Sequence, residues 1–106
     1  MAKYLFYGSY TPQGYKALMQ EGGTRRVDAV RQAAESMGGS LETFYFSFGE
    51  NDFYVIVNLP DNVQATAFTL TGNTSESFSM KTVMLLSPED LDKALRVKVN
   101  YRFPGQ

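Results

Sequence analysis

An α+β fold is what this sequence predicts, on three observations. Runs dense in aromatic and β-branched residues alternate with segments of helical periodicity in the order β-α-β-β-α-β. The junctions carry helix-start chemistry, with Thr11 before Pro12, Asp61 three residues before Gln64, and Ser87 before Pro88. The chain has 106 residues, enough for one hydrophobic core.

The first strand is read from Lys3 to Tyr10, and Thr11 then caps a helix whose first residue is Pro12. Gly22-Gly23-Thr24 interrupts that helix. A second helical segment follows, with Val27, Val30, Ala34 and Met37 on one face, and Gly38-Gly39 ends it. Leu41 to Phe48 and Phe53 to Leu59 read as two strands of an antiparallel hairpin joined by Gly49-Glu50-Asn51-Asp52. Asp61 caps the next helix, which places Val63, Ala67 and Leu70 on one side and gives way to a loop at Gly72-Asn73-Thr74. Phe78 to Leu86 is the fourth strand. Ser87-Pro88-Glu89-Asp90 opens a short helix carrying Leu91 and Leu95, with two acids near its positive dipole end. From Val97 to Phe103 apolar and polar residues alternate strictly, which predicts a last strand with one buried face before Pro104-Gly105 stops it. The reading is a single domain, residues 1–106, of ferredoxin-like βαββαβ type with an added C-terminal helix and strand.

Composition narrows the chemistry. Ten basic against eleven acidic residues, spread along the chain, give a net charge of -1, so nucleic acid and anionic membrane surfaces are not expected partners. Neither cysteine nor histidine occurs. That removes disulfides, thiolate nucleophiles and the usual transition-metal ligands, and with them the commonest general base near neutral pH. No metal and no cofactor is expected, and any catalysis falls to Tyr, Lys, Arg, Asp or Glu. The N-terminal apolar run is too short for a signal peptide and no stretch approaches membrane-spanning length, so the expected location is the cytoplasm.

The strands are apolar on both faces. Phe53, Val55, Val57 and Leu59 lie opposite Tyr54, Ile56 and Asn58, and Phe78, Met80, Met84 and Leu86 lie opposite Val83 and Leu85. In a ferredoxin-like fold both helices cover one side of the sheet, and the other side would be a large apolar patch in a lone chain. Self-association is therefore expected, as a homodimer with sheets packed face to face or a higher homo-oligomer, with Tyr54, Ile56, Val83 and Leu85 at the interface. The alternative is that the C-terminal helix and tail fold over that face of the same chain. The last strand is expected to join a sheet edge, its own or the partner's.

With these residues in view, the chain resembles the GYD-domain family, which is grouped with the dimeric α/β-barrel relatives of the ferredoxin-like fold. The resemblance is carried by Lys3-Tyr4-Leu5-Phe6, Ser9-Tyr10-Thr11-Pro12, Gly22-Gly23 before Arg25-Arg26, and Gly38-Gly39. Phe44-Tyr45-Phe46 with Phe48-Gly49, then Asp52, Leu59-Pro60-Asp61 and Lys81-Thr82, extend it. It implies a dimeric α/β-barrel type of assembly. The chain departs from the signature at Gly49-Glu50-Asn51-Asp52, where Asn51 stands in the tyrosine's place.

Five residues are candidates for binding a ligand. Asp52 sits beside a glycine turn, where a carboxylate can hold turn amides or face a ligand. Arg25 and Arg26 follow Gly22-Gly23 at a helix start that could cradle a small anion, or simply form a solvated basic turn. Lys81 lies mid-strand, where a lysine needs water, a carboxylate or a ligand. Tyr10 is a ring with a polar tip, fit for the core or for a pocket wall. The function expected is a homo-oligomeric domain that binds a small molecule or only assembles. The alternative is a cofactor-independent enzyme of oxygenase or isomerase type, with an aromatic or dicarbonyl substrate held between helices and sheet and a proton moved by Tyr10, Asp52 or Lys81.

Overall fold

The computed structural model describes residues 1–106. Its elements are β1 (Ala2–Tyr10), α1 (Pro12–Glu21), α2 (Gly23–Ser36), β2 (Ser40–Phe46), β3 (Phe53–Leu59), α3 (Asn62–Asn73), β4 (Phe78–Leu85) and α4 (Pro88–Leu95). The four strands form one antiparallel sheet in the order β2-β3-β1-β4, compatible with the expected ferredoxin-like arrangement. α2 packs along β2 and α3 along β4.

The helix starts are those the sequence indicates. Thr11 Oγ1 accepts from the Gly14 amide at 3.2 Å, Asp61 Oδ1 from the Gln64 amide at 3.0 Å, and Ser87 Oγ from the Asp90 amide at 3.0 Å. Gly22, at φ 86, closes α1 by donating its amide to the Leu18 carbonyl and lets the chain turn into α2. Gly14 matters for closeness: a Cβ there would lie 1.9 Å from the Ser77 carbonyl oxygen. Only glycine lets α1 sit against the segment that leads into β4.

Alternation along the strands decides which residues share the helix-covered side. Tyr4, Phe6, Phe53, Val55, Val57, Leu59 and Met80 are buried under the helices, with Ala34 of α2 and Ala65 of α3 packed onto them.

Four features differ from the expectations. First, β2 stops at Phe46. Phe48 leaves the strand at φ 58 with its ring stacked on Phe46, so the connection to β3 is longer than the four-residue turn. Second, a register shift between Leu41 and Thr43 bulges Glu42 and returns Leu41 to the side of Phe44 and Phe46. Third, α3 continues through the expected loop as far as Asn73, whose side chain accepts from the Met80 amide at 2.7 Å and donates to its carbonyl at 2.9 Å.

The fourth difference is the largest. Val97 to Phe103 is not a strand: no sheet edge pairs with it, and alternation without a partner strand cannot make one. Every residue from Leu86 to Gln106 is exposed. α4 and the tail do not fold over the open sheet face but project from the body, giving extents of 58 × 33 × 22 Å. The radius of gyration is 17.0 Å, against roughly 13 Å for a compact chain of this length.

Candidate functional site

Between the helix-covered face of the sheet and the pair α2 and α3 lies a cavity of about 530 Å³. The sheet contributes Phe6, Phe44 and Val55, α2 contributes Val30 and Met37, and α3 contributes Phe68. The walls hold one another in place: the Phe6 and Phe68 rings sit 4.8 Å apart, and Phe53 meets Phe78 edge to face at 5.8 Å. The volume falls in the range of natural small-molecule sites, and the lining is mainly apolar as such sites are.

Tyr10 and Arg26, with the smaller Ser36, Thr71 and Ser75, supply the polar part of the wall, and Arg26 is its one charged residue. Tyr10 ends β1, and its ring packs 5.3 Å from Phe53. Burial pushes its hydroxyl up to about 12, although Arg26 pulls the other way, so near neutral pH it is a hydrogen-bond donor and not a base. Arg26, in the first turns of α2, holds Glu21 only loosely, at 3.7 Å.

Behind Tyr10 stands Asp52, which is 4% exposed. Its Oδ2 accepts the Tyr10 amide at 2.8 Å and the Tyr15 hydroxyl at 2.5 Å. Its own amide donates to the Gly8 carbonyl at 2.7 Å. These bonds tie the start of β3 to the end of β1 and to α1, and they anchor the backbone at Tyr10. The hydrogen bond to Asp52 is also the main reason the Tyr15 hydroxyl lies above the usual tyrosine range. Asp52 thus braces the junction of β1, α1 and β3, as a turn-stabilising carboxylate does.

The structure places Tyr10 and Arg26 on the cavity wall and Asp52 behind Tyr10, outside the lining. Arg25 and Lys81 are elsewhere. Arg25 is exposed and lines no part of the cavity. Lys81 is paired in register with Tyr7 and exposed on the side of the sheet that the helices leave bare. On that side Tyr7 stacks on Tyr54 with centroids 6.2 Å apart, and Asn51 donates to the Tyr54 hydroxyl at 3.4 Å. Tyr54 and Val83 are exposed, and Ile56 and Leu85 half-buried, so this face is uncovered in the single chain.

Two participants escape a reading of the sequence. Tyr15 lies one turn into α1, and its bond to Asp52 depends on the close seat of Gly14, which no local pattern announces. Glu42 meets Lys3 on the bare face only because the bulge carries it there. The Lys3 ammonium, helped by Asn58, holds the Glu42 carboxyl below its usual range.

A GYD domain family model matches residues 4–95, and the chain belongs to that family. No curated protein and no solved structure matches it.

Proposed function

We propose that the protein is a homo-oligomeric small-molecule-binding protein whose ligand is a compact, largely apolar molecule bearing one acidic or hydrogen-bond-accepting group. The cavity is the observation that carries this reading. Its aromatic and aliphatic walls suit an apolar body, and the Tyr10 hydroxyl and Arg26 guanidinium offer donors for a single polar head. The oligomer is a two-fold dimer of the dimeric α/β-barrel type, in which Tyr54, Ile56, Val83 and Leu85 of each sheet meet their counterparts. Exposure of this apolar face supports it. The setting is the cytoplasm, in keeping with a cysteine-free chain.

A second reading, a cofactor-independent enzyme acting on an aromatic or dicarbonyl compound, is favoured by one observation. Tyr10, kept protonated by burial and lining the cavity, stands where it could donate to a substrate carbonyl oxygen. Lys81 has no part in that reading, because it stands on the other side of the sheet.

Titration of 15N-labelled protein with 2-naphthoate, 2-naphthol and 2-naphthylmethylamine tests the binding reading. Naphthoate is expected to shift the amides of Phe44, Val55 and Phe68 and to bind best of the three. Arg26→Gln should weaken naphthoate about tenfold and leave naphthol unchanged, a change of about 1.4 kcal/mol. If none of the three perturbs cavity amides, the binding reading is wrong. If naphthol and naphthoate bind alike, the site stands and the role of Arg26 falls.

A further inference from the structure

We infer that the C-terminal tail is an exchanged arm: residues Val97 to Phe103 of one chain form a strand along the free edge of β4 in a second copy. The inference rests on two surfaces that the single chain leaves without partners.

The first is the arm. Val97, Val99, Tyr101 and Phe103 alternate with Lys98, Asn100 and Arg102, so in extended form all four large apolar side chains project from one side. In the lone chain they are 65%, 77%, 60% and 59% exposed. A segment patterned for one buried face is held in water.

The second is the edge. The sheet ends in β2 on one side and β4 on the other. β2 is blunted by the Glu42 bulge and its charged pair with Lys3, a common protection against strand addition. On β4 the Asn73 side chain satisfies the backbone at Met80, but from Thr82 onward the outer edge has no partner. Beside this stretch runs an open groove of about 610 Å³ between α3 and β4, containing Thr66, Leu70, Thr82 and Met84. Leu70 is 65% exposed and Met84 52%. An added strand would pair its backbone with β4 beyond Met80 and lay its apolar side chains into this groove, under α3.

The occupant is a second copy because the exit of the chain is fixed. Ser87 is extended, at φ -74 and ψ 159, as a residue before proline prefers, and it caps α4 through the Asp90 amide. α4 then carries the chain about 12 Å before Val97, eight residues at 1.5 Å each. Because α4 projects from the body and every residue from Leu86 onward is exposed, the arm begins away from its own β4, where a neighbouring copy can bring its β4 edge alongside. Two copies related by a two-fold axis can exchange arms reciprocally, each filling the other's groove. This exchange is separate from the sheet-face contact proposed above, and either could exist without the other.

The absence of native cysteine permits a clean test. An Asn100→Cys chain carrying a nitroxide is mixed, after subunit exchange, with 15N-labelled chain that bears no label. Broadening of the Thr82, Met84 and Leu70 amides in the labelled copy is the expected result. No broadening in the mixture overturns the inference. So does broadening of those amides only when nitroxide and 15N share one chain, or broadening centred on Ile56 and Val83, which would put the tail on the sheet face. As a second readout, Val99→Asp with Tyr101→Asp should raise the dimer dissociation constant at least tenfold with the circular dichroism of the body retained. An unchanged constant contradicts the exchange.

Discussion

On the side of the sheet that α2 and α3 cover, Phe6, Val57 and Leu59 are at most 1% exposed, whereas on the other side of the same sheet Tyr54 and Val83 are 36% and 40% exposed. Neighbouring positions along one strand thus have opposite fates with similar side-chain chemistry. Alternation assigns each residue to a side, but only a second layer makes a side dry. The covered side has its layer within the chain and keeps a cavity inside it. The bare side has tyrosine, isoleucine, valine and leucine and no layer at all, and the apolar arm beyond β4 shares that condition.

The sharpest contrast comes from removing bulk on the covered side. Phe6→Ala should cost roughly 3–5 kcal/mol in urea denaturation, because it enlarges a cavity among side chains that cannot close around it. If the loss were below about 1 kcal/mol, the distinction between the two sides would be weaker than their exposure implies.

A smaller effect lies at the end of the cavity. The Tyr10 hydroxyl is pushed up to about 12 in the folded chain, against an ordinary value of 10.0. The fold therefore favours its neutral form. The associated stability is whole below pH 10 and is lost as pH rises from 10 through about 12. Tyr10→Phe, which cannot ionise, should show a shallower fall of the urea midpoint across that window than the parent chain. Identical slopes would mean that Tyr10 is not buried against the cavity wall as described.

Much of this architecture was legible in the sequence, and the rest failed for identifiable reasons. Caps are local, so Thr11, Asp61 and Ser87 could be read directly from their neighbours. The faces of β3 and β4 follow from a two-residue period and were equally plain. The side that Leu41 faces is not legible from strand alternation, because one bulged residue, Glu42, reverses the parity of everything before it. Phe48 looked like strand because its aromatic character outweighed the unseen left-handed turn. The tail from Val97 to Phe103 has the pattern of a strand, but a strand needs an edge, and the chain on its own supplies none. For the candidate site, Tyr10, Arg26 and Asp52 were visible as residue types beside turns. Tyr15 was not, since its role comes from a contact 37 residues away in sequence.

Sedimentation velocity of the full chain at micromolar concentration, beside Ile56→Asp with Val83→Asp, tests most directly whether the bare face is closed by another copy. The expected result is a parent species of twice the 11.9 kDa chain mass or a higher multiple. Made in a chain whose arm also carries Val99→Asp and Tyr101→Asp, so that no exchanged tail links the copies, the double variant should be a folded monomer whose urea stability lies within about 0.5 kcal/mol of an isolated parent subunit. A parent chain that sediments as a single monomeric species, with the double variant indistinguishable from it, would contradict the assembly.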